Sequence, residues 1–293
     1  MAAPVPEFSV VIPAHNEEAV IGRCLETLLA DAPKDNPPEI IIAGNGCKDR
    51  TVEIARELAP FATILDLPAG SKVIAMNEAN KVARHAPRFF LDADLQCSYA
   101  ALKATSDALR QPGVMAASPA LDMDVSRSDF WVRAYYRVWM TQPYVTDRLV
   151  GSGVFGLSAV GLERIGEIPP TFADDTWVRT RFSYDERRNV AKDADGNPVH
   201  FTVSPPRTLR DQIKIEARRR IGSEQVLALY PSPHNTKINR PGNLGTALKN
   251  GASVLDVAIY LAMKTAALLQ FRWNKARGKT PVWVRDMGAR KTA

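Results

Sequence analysis

The sequence predicts an α/β protein: a doubly wound, mostly parallel sheet with flanking helices, plus a C-terminal helical extension. Three observations predict it. Short unbroken apolar runs, such as "FSVVIPA" (8–14) and "EIIIAG" (39–44), have the length and continuity of strands buried on both faces. Segments with helical spacing of apolar residues follow these runs, the alternation that parallel strands with right-handed crossovers require. The loops "PAHNE", "GNGCKD", "GSK" and "DAD" all leave the C-terminal ends of the expected strands, where sheets of this kind gather their ligands.

The elements follow in order. After the first run, "HNEEAVIGRCLETLLA" sets Val20, Ile21, Cys24, Leu25 and Leu28 at helical spacing, with acids near its start. "APKDNPPE" is a turn before the second strand, and Thr51 stands near the N-cap of a helix over 51–59. "FATILDL" (61–67) is a third strand, with a glycine loop and a helix over 73–83 behind it. "RFFLDAD" (88–94) is a fourth strand, a helix covers 99–110, and "VMAASP" (114–119) is strand-like. The aromatic segment 128–144 reads as a helix, and "GSGVFGLS" (151–158) as a glycine turn running into a strand. "DADGNP" (193–198) joins two short segments as a hairpin or surface loop. From about residue 207 the chain becomes basic, and 244–279 is an apolar helical stretch with a cationic end.

At 293 residues, 45% hydrophobic and 24% charged, the chain can build one large domain or a domain with an appendage. The expected division is a catalytic domain over 5–225, with halves of about 5–120 and 121–225, and an extension over 226–293. A net charge of +6 suits an anionic ligand or an acidic membrane surface and does not by itself imply nucleic acid. The "RRR" run lacks a nucleic-acid-binding module around it, so none is expected as a partner. Cys24, Cys47 and Cys97 show no metal-ligand spacing and read as small buried residues of a reducing compartment. The N-terminus lacks a basic region followed by a long apolar stretch, so no signal peptide is expected. Localisation is expected to be cytoplasmic, either free or at the inner membrane face.

The apolar run Phe89-Phe90-Leu91 stops on Asp92 and Asp94, with Ala93 between. Two carboxylates at a strand end suit a hard divalent cation, Mg²⁺ or Mn²⁺. Magnesium keeps few protein ligands and completes its shell from phosphates and water, so such a pair predicts a metal–diphosphate site. The alternative is a solvated acidic turn, with Asp94 capping the next helix.

Taken together, "SVVIPAHNEEAVIGRCLETLL", "IIIAGNGCKDRTVEIARE", "GSKVIAMNEA" and "FFLDADL" resemble a family 2 glycosyltransferase of the GT-A fold, over residues 8 to about 225. The resemblance implies a nucleotide-diphosphate sugar as donor, of UDP or GDP type, with Mg²⁺ or Mn²⁺. It puts Pro13, Ala14, His15 and Glu17 at the base and ribose, Asp49 in the strand-2 loop, and Lys72 near the nucleotide. Asp92 and Ala93 would also meet the donor, with Asp92 and Asp94 at the metal. Relatives commonly carry an Asp just after strand 2 that reads the base; here Gly44 and Asn45 stand there, which leaves base recognition to Asn45 or to backbone groups. The family places an acid pair downstream, and "TFADDTWVRTRF" supplies Asp174 and Asp175, with Asp175 in register as catalytic base. Their other reading is a helix start with two dipole-favoured acids.

The segment "QIKIEARRRIG" is similar to a degraded Q-x-x-R-W element, in which Arg218, Arg219 and Arg220 would meet a diphosphate or acceptor; a solvated basic face is the alternative. The missing Trp argues for transfer of one sugar or a few. Gly151, Ser152 and Gly153 fit the start of a dinucleotide fingerprint but do not follow a first strand. The resemblance sets them beside sugar and acceptor instead. The implied activity is inverting, metal-dependent, non-processive sugar transfer in polysaccharide or glycoconjugate synthesis. The rival readings are a sugar nucleotidyltransferase and a non-catalytic nucleotide-sugar-binding protein. The implied acceptor is a sugar or a lipid-linked acceptor. No uninterrupted apolar run reaches the length of a membrane span, about 18–20 residues. The helix over 254–271 is interrupted by Asp256 and Lys264, and it suits a membrane interface, the body of the domain or a second protomer.

Overall fold

The computed structural model describes residues 6–68, 70–146, 148–234 and 244–278. Strands β1 (Ser9–Ala14), β2 (Glu39–Asn45), β3 (Thr63–Leu67) and β4 (Arg88–Leu91) are parallel neighbours in the order β3-β2-β1-β4. Helices α1 (Ile21–Leu29), α2 (Thr51–Leu58) and α3 (Lys72–Val82) connect them. The order reverses between β1 and β4, so a crevice opens outside the carboxyl ends of those two strands. Val10, Val11, Ile12, Ile41, Ile42, Phe89 and Leu91 are buried on both faces of this layer, as continuous apolar runs require.

Beyond β4 the sheet departs from the expected pattern. β5 (Gln96–Cys97) is a two-residue strand that the sequence reading did not contain, and α4 (Tyr99–Leu109) follows it, capped by Ser98. Asp94 is therefore not that helix's cap. β6 (Ala116–Met123) runs four residues past the expected strand end. After α5 (Phe130–Trp139) and α6 (Pro143–Thr146), β7 (Val154–Leu157) inserts antiparallel between β4 and β6. Phe90 and Phe155 stack at 4.9 Å across this pairing, and Gly156 makes room for Phe89, whose ring would lie 2.4 Å from a Cβ there. After α7 (Ala159–Ile165) and α8 (Asp174–Arg179) come β8 (Arg187–Val190) and β9 (His200–Val203). They do not form a ladder with each other. Both run parallel to β6, β8 against its first half and β9 against its second, and a single bridge, Lys192 to Pro198, closes the loop between them.

Three further helices, α9 (Leu209–Leu229), α10 (Leu244–Lys249) and α11 (Val254–Ala276), complete the described chain. The expected boundary at 225/226 falls inside α9. α11 lays Ile259, Met263, Ala267 and Phe271 inward, and its two interrupting charges point inward as well. Asp256 bonds Arg137 of α5 at 2.6 Å, and Lys264 bonds Glu216 of α9 at 2.7 Å. α11 is long and apolar enough to cross a membrane by length and composition, although one face packs on α5 and α9. All three cysteines are free thiols. Lys279 and the rest of the extension lie outside the described residues.

Candidate active site

The loops after β1 and β2 are joined by alternating hydrogen bonds. Glu17 N–H donates to Thr51 Oγ1 (2.6 Å), Lys48 N–H to Asn16 Oδ1 (2.6 Å) and Glu18 N–H to Asp49 Oδ2 (3.2 Å). Arg50 N–H returns a bond to Glu18 Oε2 (3.0 Å). Asp49 Oδ1 also takes the Thr51 N–H, satisfying a donor of the first turn of α2. Asp49 and Glu17 thus stand in the framework that shapes the crevice.

Asn45 is buried, and its amide donates to the Ala14 carbonyl at 2.8 Å, holding β2 to β1. A Cβ at Gly44 would meet Val52 Cγ2 at 2.7 Å and Cys47 Sγ at 3.6 Å. An acid at 44 would be driven into α2 packing, which gives a physical reason for glycine there. Pro13 and Ala14 are buried in the strand end, and half-buried His15 pairs through Nδ1 with the Asn45 carbonyl. His15 also lies against Gly70, where a Cβ would come within 3.2 Å of its ring.

Across the crevice three segments meet at one ammonium group. Lys72 opens α3 behind the Ser71 cap. Its Nζ lies 2.7 Å from Asp92 Oδ1 and 2.8 Å from Asp174 Oδ2, so it bridges the end of β4 to the start of α8. Burial alone would lower the Lys72 pKa, but Asp174, Asp92 and Asp175 hold it well above its ordinary value, and the group stays charged. Burial pushes the Asp92 carboxyl above the usual carboxylate range; Lys72 opposes this, while Asp174, Asp175 and Asp94 add to it. Ala93 is buried between the two strand-end acids.

Gly151, Ser152 and Gly153 take φ of +116°, +62° and +104°, three left-handed residues in succession. The turn reaches both acid groups. Gly153 O accepts from Asp92 N–H (2.8 Å), and Gly153 N–H donates to Asp175 Oδ2 (3.2 Å). A Cβ at Gly151 would sit 2.9 Å from the Asp175 Cβ. Burial and then Asp174 raise the Asp175 pKa, while Lys72 and the Ser152 and Gly153 amides oppose the rise. Asp175 Oδ1 is enclosed and has no hydrogen-bond partner among the described residues.

Contacts that the sequence reading missed position α8. Asn77 of α3 bonds both the carbonyl and the N–H of Ile168, at 2.8 and 3.0 Å, fixing the approach to the helix. Thr176 and Ser223 hydroxyls meet at 3.3 Å, and Gly222 of α9 lets Ala173 pack close. Of the three arginines, Arg219 pairs with Glu216 at 3.3 Å, and that carboxylate also holds Lys264. This directs Arg219 toward the α5–α11 side of α9.

Among the described residues no group of three or more His, Cys, Asp or Glu side chains forms a metal cage. The donor chemistry present is hard and sparse: Asp94, plus an Asp92 with one oxygen engaged by Lys72. That set suits a cation that draws its remaining ligands from diphosphate and water.

The sequence profile described as Glycosyl transferase family 2 matches residues 9–162, just over half of the chain. The chain belongs to glycosyl transferase family 2. This member is 33% identical over 96 residues to an uncharacterized glycosyltransferase, YkcC, of Bacillus subtilis, a segment covering 31% of this chain and 29% of that protein. It is 35% identical over 66 residues to the glycosyltransferase AglE of Haloferax volcanii, covering 22% and 21%. The matched segments thus span less than a third of these curated relatives. Among solved structures, the fold is similar to the mannosyltransferase PcManGT from Pyrobaculum calidifontis in complex with GDP-Man and Mn²⁺. The TM-score is 0.60 at 17% identity, covering 93% of this chain and 88% of that one. Glucosyl-3-phosphoglycerate synthase from Mycobacterium tuberculosis, in complex with Mn²⁺, UDP and glucosyl-3-phosphoglycerate, gives 0.54 at 18% identity, covering 78% and 82%. At such identities the likeness is one of fold, and it places this family 2 chain among GT-A folds.

Proposed function

We propose that the protein is an inverting glycosyltransferase that moves a sugar from a nucleoside-diphosphate sugar to an acceptor hydroxyl, one sugar or a few at a time. The observation that carries this reading is the Asp175 carboxylate. It is anchored at one oxygen by Gly153 N–H and has no hydrogen-bond partner at the other among the described residues, beside the Lys72 ammonium that bridges the end of β4 to the start of α8. An acceptor O–H would donate to the Asp175 carboxylate. As the acceptor oxygen bonds the anomeric carbon, the carboxylate takes the proton, and the bond to the diphosphate oxygen breaks on the opposite face. The nucleoside diphosphate leaves with both electrons of that bond. Lys72 presents a positive charge at the strand ends where that diphosphate would lie.

Asp94, with the second oxygen of Asp92, would hold Mg²⁺ or Mn²⁺, which when bound would offset the negative charge of the diphosphate. The structural relatives' complexes with Mn²⁺ and with GDP-Man or UDP support this donor class without choosing between the bases. The test combines a melting panel of UDP, GDP, CDP and dTDP sugars, with and without Mn²⁺, with an assay of Asp175→Asn. The variant keeps donor binding and loses transfer by a factor of about 10²–10⁴, the range for removal of a general base. Turnover equal to wild type would overturn the base assignment. A binding-only protein would release no nucleoside diphosphate and would be indifferent to the substitution. Donor binding unaffected by chelator would remove the metal from the scheme.

A further inference from the structure

The outward face of α11 is mostly apolar, broken by Thr265 and, near its end, by Arg272. Val254 is 76% exposed, Leu269 60% and Trp273 58%, with Leu255 and Leu261 also exposed on the same helix. Apolar side chains left in water over six turns of helix are unfavourable unless something covers them. The charges that interrupt the helix in sequence do not interrupt this face, because Asp256 and Lys264 both turn inward to Arg137 and Glu216. Asp256 is also the only carboxylate in the helix, so the outward face carries none. Its C-terminal end is cationic: Arg272 is exposed, Arg277 stacks over Trp273 at 4.1 Å, and Lys275 reaches Glu224 at 3.0 Å. That last pair brings the end of α9, with exposed Leu227 and Leu229, to the same end of the molecule.

We propose that this face of α11 docks the protein on a bilayer containing anionic phospholipid. Apolar side chains would enter the acyl boundary, Trp273 would lie at headgroup depth, and Arg272 and Arg277 would meet lipid phosphates. The helix face carries no acid of its own, and its cationic end, with exposed Arg272 and Arg277, complements phosphate and repels the same end of a second copy, which favours the bilayer over self-association. The protein's excess of positive charge acts in the same direction. The inward face stays packed on α5 and α9, so the helix lies along the surface rather than across it.

The test is co-sedimentation of the full chain with vesicles of phosphatidylglycerol and phosphatidylcholine, against vesicles of phosphatidylcholine alone. The wild type pellets with the anionic vesicles, at least tenfold more than with the neutral ones, and salt weakens the binding. The double variant Leu269→Glu/Trp273→Glu, both sites being outside the packed face, melts like wild type and loses this binding at least tenfold. A wild type that stays in solution with anionic vesicles overturns the proposal, as does a variant that binds equally. Sedimentation velocity showing a dimer that the double variant dissociates would assign the face to a second copy and also overturn it. None of these results depends on the transfer reaction, so the docking surface stands or falls apart from it.

Discussion

At the scale of single residues, the site turns on how Asp175 is held. Its carboxylate takes an N–H from a turn of left-handed residues, and a Cβ at Gly151 would press against that of Asp175. Gly151→Ala therefore strains the backbone by about 1–3 kcal/mol and pushes the carboxylate aside. The expected outcome is a lower melting temperature, retained donor affinity and transfer reduced roughly a hundredfold, since small misplacements of a reacting group are costly. Steady-state kinetics with a donor titration check it. Lys72→Met leaves buried Asp174 and half-buried Asp92 without their shared cation and lowers stability by roughly 1–3 kcal/mol, discounted for the partial solvent access of Asp92. Lys72→Arg restores most of it, as urea unfolding will show. The acids themselves were legible in the sequence, because each pair sits at a local strand or helix end. Their assembly was not. Lys72, Asp92, Gly153 and Asp174 lie tens of residues apart, and no periodicity connects them.

At the scale of elements, the apolar period announced the helices and strands, while packing chose their partners. The run "VFGL" reads as a strand, but nothing local says that β7 enters antiparallel between β4 and β6; the Phe90–Phe155 stack and the space at Gly156 decide that. Likewise, "RNVA" and "VHFTV" flank a turn as a hairpin would, yet both take β6 as partner. α11 begins with a capping box in which Ser253 N–H and Oγ donate to Asp256 Oδ2 and Asp256 N–H donates back to Ser253 Oγ. The Arg137 guanidinium, opposed by burial and helped by Ser253, holds the Asp256 carboxyl at about 2. This folded value lies below the unfolded one of about 3.9, so the group stabilises the protein above about pH 4 and loses that contribution as pH falls toward 2. Asp256→Asn is expected to cost about 1–2 kcal/mol at neutral pH and to flatten the acid side of the stability curve. Melting curves from about pH 7 down to pH 3 test both effects.

At the scale of the whole molecule, the reversal of strand order between β1 and β4 opens one crevice at the strand ends, where the loops after β1, β2 and β4 come together. A donor bound there stabilises the native state by RT ln(1 + [L]/Kd), about 2.7 kcal/mol at a hundredfold excess over Kd. The correct nucleotide sugar should therefore raise the melting temperature measurably, while sugars on the wrong base leave it unchanged. Selectivity among bases is expected to follow backbone groups and His15 near the β1–β2 edge, because the Asn45 amide is engaged with Ala14 and Gly44 has no room for an acid. Comparing Asn45→Ala with His15→Ala in the donor panel separates these contributions: the first lowers stability, and the second lowers donor affinity.

The sequence by itself determined the alternation of strands and helices, the glycine and acid loops at strand ends, and the two acid pairs. These are local matters, set by side-chain period, capping and turn chemistry. The tertiary structure alone decided that Lys72 joins one acid from each pair, that β7 runs against its neighbours, and that the charges in α11 turn inward. Those outcomes depend on contacts between segments distant in the chain, where packing space and the need to pair buried charge outweigh any local preference.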